Sequence, residues 1–365
     1  MRGIRVPRIR TAVVGTGNIA RFHVEALQSL DDEVEVVAAV DIDAARLAQF
    51  CSTHQISHRY SDVEQMLASQ RPGLVHVCTP PGLHRGQALL CMQTGASVVV
   101  EKPPTLTLHE LDELAAAQGL TGPWLATVFQ HQFGSGAQRL RSMVADGVLG
   151  RPLLAVCNTT WLRTQDYFDA PWRGRWDTEG GGPTMGHGIH QMDLLGAILG
   201  DWEEVSAVAR QQARVMETED VSLAHVTFAN GAVASVINSV VSPREESYLR
   251  FDFERATVEL THLYGYGDDD WRITPAPDFE EHVSAAWKAS SHGLVGSSHG
   301  AQFQAVVQSL RDGSAPPVTT ADARRTMQLV AGIYASAFQR RPIRPTDLGP
   351  DSPFYSRMDG DGTRW

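Results

Sequence analysis

The chain has 365 residues, a length that predicts two domains, each large enough to bury its own core. Hydrophobic residues make up 42% of it and charged residues 20%, which is typical of a globular protein and excludes long disordered tracts. The formal net charge of -11 repels a phosphate backbone, so we expect no nucleic-acid partner. No apolar run approaches the roughly 20 residues that span a bilayer. The basic start is not followed by the apolar stretch of a signal peptide, and the four cysteines lack C-x-x-C spacing. We therefore expect a cytoplasmic protein without a membrane partner.

The first predicted element is a strand that enters a helix through glycines. Gly15, Gly17 and Ala20 fit the dinucleotide form G-x-G-x-x-G/A, although such a triplet alone could also be a tight turn without a ligand. In the dinucleotide reading, Gly15 permits the turn, Gly17 lets the backbone approach the pyrophosphate, and Ala20 allows close packing. We expect the start of the helix, with Asn18 and Ile19, to bind the cofactor phosphates.

The second predicted strand, VEVVAAV, ends at Asp41, about 20 residues after Ala20. At this spacing a carboxylate reaches the adenosine ribose and repels a 2′-phosphate, and Asp43 adds to the repulsion. The sequence therefore favours NAD over NADP. Arg46 keeps NADP possible, because it could meet a phosphate.

Two further apolar runs, GLVHVCTP and ASVVVEKP, alternate with predicted helices at about 62–69 and 84–94. This rhythm is typical of a parallel sheet, whose ligands collect at the carboxyl ends of the strands. The polar residues and prolines that follow these runs are therefore expected at the cofactor edge: Thr79, Pro80, Pro81, His84, Glu101, Lys102, Pro103 and Pro104.

A segment before a glycine run is dense in aromatic residues and arginines, TTWLRTQDYFDAPWRGRWDTEGGG. Aromatic rings beside hydrogen-bonding groups suit a sugar or cyclitol. Arg163, Tyr167, Trp172 and Arg173 are the candidate pocket residues, and core or subunit contacts are the alternative for each. The arginines, with Arg175, could instead recognise an acidic sugar.

Alternating apolar residues from about 202 to 241 predict strands, with a hairpin turn at Asn230 and Gly231. Further strands are expected near Tyr248 to Glu259. Helical periodicity returns after residue 300. These patterns predict a second domain built on an antiparallel sheet.

The segments VVGTGNIA, CTPPGLH, VVVEKPP and GGGPTMGHGIHQMDLL, read in this order, resemble the glucose-fructose oxidoreductase and inositol dehydrogenase family, Gfo/Idh/MocA. The resemblance covers about residues 10–342. It implies an N-terminal Rossmann domain (10–126) and a C-terminal α+β substrate-binding and oligomerisation domain (127–345) on a large, mostly antiparallel open sheet, followed by a tail (346–365). We expect the final segment of the tail, DGDGTRW, to be a frayed terminus. The resemblance also implies a homodimer or homotetramer.

The resemblance implies two catalytic residues: Lys102, which contacts the reacting oxygen, and His190, which exchanges its proton. Both types suit alcohol oxidation, since an ammonium stabilises charge on oxygen and a histidine titrates near neutral pH. Many family members carry an aspartate four residues before this histidine, but here that position is Gly186, with His187 beside it. His187 or Asp193 could take over part of the role, and we also expect His187 to contact the substrate.

The predicted function is hydride transfer between NAD, or NADP, and a secondary alcohol or ketone of a sugar, cyclitol or polyol. The alternatives are an NAD-retaining glycoside hydrolase or lyase that uses transient oxidation, and a non-catalytic sensor of dinucleotide and sugar. We expect no metal, because His187 and His190 lack a third ligand at suitable spacing.

Overall fold

A computed structural model describes residues 7–119, 122–289 and 293–362. The chain divides into two compact units. The first contains Met1–Thr105, Glu110–Val128 and His299–Asp322, and the second contains Leu106–His109, Phe129–Ser298 and Ala323–Trp365. Among the helices in the described ranges, none combines the length and the apolar character needed to cross a membrane.

The first unit is built on a six-stranded parallel sheet in the order β3-β2-β1-β4-β5-β6. This order is that of a Rossmann fold, and the predicted parallel sheet is confirmed. Its inner strands are short, fully buried runs, as expected for a sheet covered on both faces. The strands are β1 (Ile9–Val14), β2 (Val34–Val40), β3 (His58–Tyr60), β4 (Leu74–Val77), β5 (Ser97–Val100) and β6 (Leu125–Thr127).

The register aligns the carboxyl ends of the inner strands. Val14 pairs with Val40 on one side and with Val77 on the other, and Val77 pairs with Val100. The residues that follow these strands therefore meet at one edge of the sheet. The helices between the strands are α1 (Asn18–Gln28), α2 (Ala44–Thr53), α3 (Val63–Gln70), α4 (His84–Gln93) and α5 (Leu108–Ala116), and α3 and α4 confirm the two helices predicted there.

The second unit contains a seven-stranded sheet in the order β13-β12-β11-β7-β10-β9-β8. All neighbours are antiparallel except β10 and β7, so the sheet is mostly antiparallel, as expected. The strands are β7 (Pro152–Leu162), β8 (Trp202–Arg210), β9 (Val221–Phe228), β10 (Val233–Ser239), β11 (Val241–Phe253), β12 (Ala256–His262) and β13 (Trp271–Pro275).

The predicted hairpin at Asn230 and Gly231 is present between β9 and β10, where Gly231 has a φ of 86°. The alternating segment VSAVARQQARV predicts a strand that continues past Arg210, but β8 ends at Arg210. The carboxylate of Asp220 accepts hydrogen bonds from the backbone N–H groups of residues 212, 213 and 214 at 2.7–2.9 Å. These bonds fold the segment into a loop.

The helices of the second unit up to residue 298 are α6 (Ser135–Ala145), α7 (Pro183–Gly186), α8 (Ile189–Leu199) and α9 (Glu280–Ala289). The next helix is α10 (His299–Asp312). It lies in the segment His299–Asp322 of the first unit, which differs from the expected domain boundaries. Its Phe303, Val306 and Val307 belong to the same buried cluster as Val13 of β1. Sequence order alone assigns this helix to the second domain, whereas its apolar face completes the first core.

The chain ends with α11 (Thr320–Gln339) and α12 (Pro353–Ser356). The tail is packed up to the segment that was expected to be frayed, and within that segment Asp359 is buried and pairs with Arg357 at 2.7 Å. Leu348, Phe354 and Met358 are buried, and the ring of Phe354 stacks on Phe338 with centroids 6.2 Å apart. Residues 363–365 of the predicted tail lie outside the described residues.

Candidate functional site

The glycine turn after β1 has the features that a dinucleotide requires. Gly15 has a φ of 88°, and a Cβ there would lie 2.9 Å from the backbone carbonyl of Cys78, so only glycine fits. A Cβ at Gly17 would meet nothing within 4 Å, so the backbone there is open to a ligand. The first turn of α1 has neither a side-chain cap nor an acidic residue, and Ala20 is fully buried. The residues present thus fit a bound pyrophosphate at this helix start.

Asp41 lies directly after β2 and is more heavily engaged than the sequence indicated. Its Oδ2 accepts hydrogen bonds from Thr16 N and Oγ1 at 2.8 and 2.7 Å, and its Oδ1 accepts one from Asp43 N at 2.9 Å. Arg46 forms an ion pair with the same carboxylate, with Nη2 2.7 Å from Oδ1. Burial raises the pKa of Asp41, but the hydrogen bonds from Arg46, Asp43 and Thr16 outweigh it and lower the pKa to about 2.

His84 links the loops that follow β4 and β5. Its ring nitrogens lie 2.7 Å from the Thr79 carbonyl and 2.8 Å from the Pro103 carbonyl, and the side chain is fully buried. Thr79 Oγ1 also donates to Gln87 at 2.6 Å, and both Thr79 and Pro80 are half-buried. Burial lowers the pKa of His84, and the contacts with the two carbonyl oxygens offset part of this effect. These observed contacts are structural, and the expected contacts of Thr79, Pro80 and His84 with the cofactor stay predictions.

Glu101, the first residue after β5, faces a cluster of histidines that the sequence did not reveal. His23 Nε2 lies 2.9 Å and His299 Nε2 3.4 Å from Glu101 Oε1, and His23 Nδ1 lies 2.9 Å from His76 Nδ1. Burial raises the pKa of Glu101, but the two histidine hydrogen bonds lower it well below its usual range. Burial lowers the pKa of His23. A buried carboxylate that accepts hydrogen bonds from two imidazole rings accounts for this arrangement.

These three side chains also lie close enough to share an ion, because one donor atom from each of His23, Glu101 and His299 falls within 4.8 Å of the others. The hydrogen bonds already explain their proximity. The expected absence of a metal therefore stays a prediction. Lys102 follows Glu101 and is half-buried, while the next residues, Pro103 and Pro104, are buried.

In the second unit, the glycine run before α7 is held by a buried carboxylate. Glu219 accepts hydrogen bonds from the backbone N–H groups of Gly182 and Thr184 and from Tyr334 Oη, each at 3.0 Å. A Cβ on Gly182 would lie 2.0 Å from the Glu219 carbonyl oxygen, so a side chain is excluded there. Burial raises the pKa of Glu219 to about 7.

His190 lies in the first turn of α8 and is buried. The ring of His131 is tilted 30° to it, with centroids 4.8 Å apart. Asp193, the candidate partner of His190, accepts hydrogen bonds from Gln132 Nε2 at 2.7 Å and from Thr326 Oγ1 at 3.2 Å. Through Gln132, Asp193 holds the loop that carries His131 against His190.

The predicted aromatic and arginine segment forms a connected cluster with His187. Tyr167 Oη lies 3.3 Å from His187 Nε2, and Arg173 donates a hydrogen bond to the same hydroxyl. The guanidinium of Arg173 stacks between the rings of Tyr167 and Trp172, 3.9 and 4.1 Å from their centroids. Arg163 lies over the Tyr167 ring from another direction, 5.4 Å from its centroid.

Each arginine of this cluster is paired with a carboxylate. Arg173 Nη1 lies 3.1 Å from Glu179 Oε1, and Arg163 Nη1 lies 3.0 Å from Glu245 Oε1. The structure thus brings together Arg163, Tyr167, Trp172, Arg173 and His187. Sequence reasoning missed the residues that complete the cluster or hold its members, namely Trp161, Glu179, Glu245 and Tyr264, and it also missed His131 beside His190. For Glu179 a signal existed, since it is an acid directly before the glycine run.

Comparison with protein-family models gives two matches along the chain. Residues 9–122 match the oxidoreductase family with an NAD-binding Rossmann fold, and residues 137–261 match the GFO/IDH/MocA C-terminal domain. The chain is 25% identical to D-apiose dehydrogenase from Paraburkholderia graminis over 98% of this chain and 96% of that protein. It is also 25% identical to D-glucoside 3-dehydrogenase from Escherichia coli, over 90% and 95% of the two chains.

A solved structure with a similar fold is the WlbA dehydrogenase from Bordetella pertussis in complex with NADH and UDP-GlcNAcA. The TM-score is 0.81 and the identity 26%, over 93% of this chain and 99% of that one. Levoglucosan dehydrogenase in complex with NADH shares the fold with a TM-score of 0.78 at 16% identity, over 93% of this chain and 99% of that one.

Proposed function

Because the chain belongs to the GFO/IDH/MocA family of oxidoreductases, we propose that it transfers a hydride between a nicotinamide dinucleotide and a secondary alcohol or ketone of a neutral sugar, cyclitol or related polyol. The observation that carries the proposal is the glycine turn, where Gly15 is pressed against Cys78 and the backbone at Gly17 is open. The substrate class is supported by the relatives named for D-apiose and for D-glucosides.

In the proposed reaction, the dinucleotide accepts the hydride that leaves the carbinol carbon, or returns it in the reverse direction. Lys102 places an ammonium at the reacting oxygen, where it stabilises the negative charge that develops. His190 accepts the hydroxyl proton as the carbonyl forms, a role that suits a group titrating near neutral pH. The remaining pocket residues orient the polyol: Arg163, Tyr167, Trp172, Arg173 and His187.

Charge pairing in the second unit favours a neutral polyol over a sugar acid. An arginine that binds a substrate carboxylate needs an uncompensated charge, whereas Arg163 and Arg173 each already face a carboxylate, Glu245 and Glu179. An incoming acid would meet two negative groups at short range. The aromatic rings stacked on the guanidinium groups offer flat surfaces that suit the C–H faces of a sugar.

The contacts of Asp41 support NAD over NADP. The carboxylate is ionised, and it holds Arg46, the nearby cation that could otherwise meet a 2′-phosphate. A 2′-phosphate would thus encounter a negative charge whose positive partner is already engaged.

We further propose that the chain forms a homo-oligomer through the outer face of its second sheet. Leu154, Val208, Leu223 and Val233 lie on this face and are 44–49% exposed. They form two cross-strand pairs, Val233 with Leu154 and Val208 with Leu223. Large apolar side chains exposed on one sheet face support an association surface there. Light scattering should give a multiple of the chain mass for the wild type and a smaller mass for Val233→Glu; equal masses would refute this surface.

A cytoplasmic location remains part of the proposal. It is supported by the four cysteines, which are buried and do not form disulfides in the structure. Fractionation of the native cells would test it.

The function is tested by offering purified protein and NAD a panel of neutral sugars, inositols and sugar acids, with NADP in parallel, while following the absorbance of reduced nicotinamide. We expect cofactor reduction with a neutral polyol and NAD. Tight NAD binding without net reduction would favour the hydrolase or lyase that retains its cofactor. Reduction only with sugar acids would refute the charge-pairing argument.

A further inference from the structure

A buried carboxylate lies beside the position where the family pattern and this sequence differ. Glu179 is 5% exposed, and its Oε1 lies 3.5 Å from the place that a Cβ on Gly186 would occupy. Its Oε2 accepts a hydrogen bond from Gly174 N at 2.6 Å, which fixes the side chain from the other side. The chain thus has no side chain at position 186 and has a carboxylate in contact with that position.

The hydrogen bonds that lead away from Glu179 have a defined direction. The guanidinium of Arg173 can only donate, so it donates to Glu179 and to the hydroxyl oxygen of Tyr167. The direction is defined as far as Tyr167, whose Oη lies 3.3 Å from His187 Nε2, and either group can be the donor of that bond. Glu179, Arg173 and Tyr167 therefore form a continuous hydrogen-bonded chain that ends at the His187 ring.

Resting on the function proposed above, we propose that Glu179 is the positioning carboxylate of the candidate substrate site. Through Arg173 and Tyr167 it orients the His187 ring, and it supplies beside Gly186 the negative charge that position 186 does not carry. It acts on the substrate only through these neighbours.

The alternative is that Glu179 only holds the loop by its bond to Gly174. Three variants separate the two roles. Glu179→Gln keeps one acceptor for the loop but loses the charge. Glu179→Ala loses both. Glu179→Ala combined with Gly186→Asp restores a carboxylate at the same place without the loop bond, and space permits it, because Glu179 Oε1 is the one atom within 4 Å of the added Cβ and the backbone at Gly186 is not left-handed.

With the substrate found in the panel, Glu179→Gln should lower kcat/KM about 10- to 100-fold, the effect expected on losing a hydrogen bond to a charged group. The KM for NAD and the thermal midpoint should stay near those of the wild type. The Glu179→Ala/Gly186→Asp variant should recover most of the kcat/KM that Glu179→Ala loses. Asp177→Asn is the matched control, because Asp177 lies two residues away, pairs with Arg175 and is 63% exposed, and it should behave as wild type.

The tautomer of His187 gives a readout that does not need turnover. Nitrogen NMR of the labelled protein should show one dominant His187 tautomer in the wild type, a changed tautomer population in Glu179→Ala, and unchanged signals in Asp177→Asn. A wild type that reduces no cofactor but shows this pattern would overturn the proposed function and leave Glu179 as the positioning residue. Wild-type kcat/KM in a folded Glu179→Gln, or identical His187 signals in Glu179→Ala, would overturn the role of Glu179.

Discussion

Replacing Asp41 by asparagine should shift the chain from NAD toward NADP. The carboxylate accepts hydrogen bonds from Thr16, Asp43 and Arg46, and its removal frees Arg46 to meet a 2′-phosphate. Losing a charged acceptor for the ribose hydroxyls should weaken NAD binding at least tenfold. Relief of repulsion together with the released guanidinium should strengthen NADP binding by a similar factor, so the preference changes by about 100-fold.

The same substitution should also cost stability, and the structure gives the size. The difference between 3.8 and a pKa of about 2 corresponds to about 2 kcal/mol of unfolding free energy. Since the folded pKa is lowered, this contribution is fully present above the unfolded value and is lost as the pH falls through about 2. At neutral pH, Asp41→Asn should therefore lower the unfolding free energy by about 2 kcal/mol.

The assay is a calorimetric titration of wild type and variant with NADH and with NADPH, beside urea unfolding. Asp43→Asn is the matched control, because Asp43 caps α2 through Ala45 N and Arg46 N and pairs more distantly with Arg46, at 3.5 Å. Its stability should stay near that of the wild type, because asparagine caps a helix about as well as aspartate, and the cofactor preference should change far less than in Asp41→Asn. Equal weakening of both dinucleotides by Asp41→Asn would refute the ribose assignment and leave Asp41 as an anchor for Thr16 and Arg46.

The remaining predictions concern three other charged groups. Lys102→Ala should abolish turnover and leave NAD binding intact; a folded variant that no longer binds NAD would show that Lys102 holds the dinucleotide instead. Histidine hydrogen bonds lower the pKa of buried Glu101, so the ionised group stabilises the folded state above the ordinary pKa near 4.5, and this stabilisation is lost as the pH falls. In urea unfolding, Glu101→Gln should therefore be less stable than wild type at neutral pH, and the difference should disappear in acid. A difference in unfolding free energy that does not change with pH would contradict this. Glu219 should give the opposite dependence of stability on pH. Burial raises its pKa to about 7, so wild-type unfolding free energy is lost as the pH rises from 4.5 through that value. Relative to wild type, Glu219→Gln should gain about 3 kcal/mol of unfolding free energy over that interval, and a pH-independent difference would refute the raised pKa.

The sequence was sufficient where a residue's role depends on near neighbours along the chain. Gly15 and Asp41 each follow a buried apolar run, and the parallel register then aligns those strand ends without further information. The partners of the site residues were not predictable in this way. Glu101 meets His23 and His299 across 78 and 198 residues of chain, and such contacts arise only when distant helices pack on the same sheet.

The assignment of α10 to the first unit has the same cause. Its periodicity correctly predicts a helix, but periodicity identifies an apolar face without identifying the core that the face enters. Phe303 packs among the residues of β1 and α1 because the first core is incomplete without it. Position along the chain gave no information on this.

The electrostatics of the first unit separate into a short-range and a long-range part. The chain has a net charge of -11, yet it must hold an anionic dinucleotide. Arg46 is already paired with Asp41, whereas the first turn of α1 carries no acidic side chain, so we expect the attraction to come from the backbone N–H groups at the start of α1. The partial charges of a helix end act within about one turn, and salt screens the net charge of the chain beyond about 8 Å. We therefore expect the local backbone at Gly15 and Gly17, rather than the net charge, to determine how tightly the dinucleotide is held.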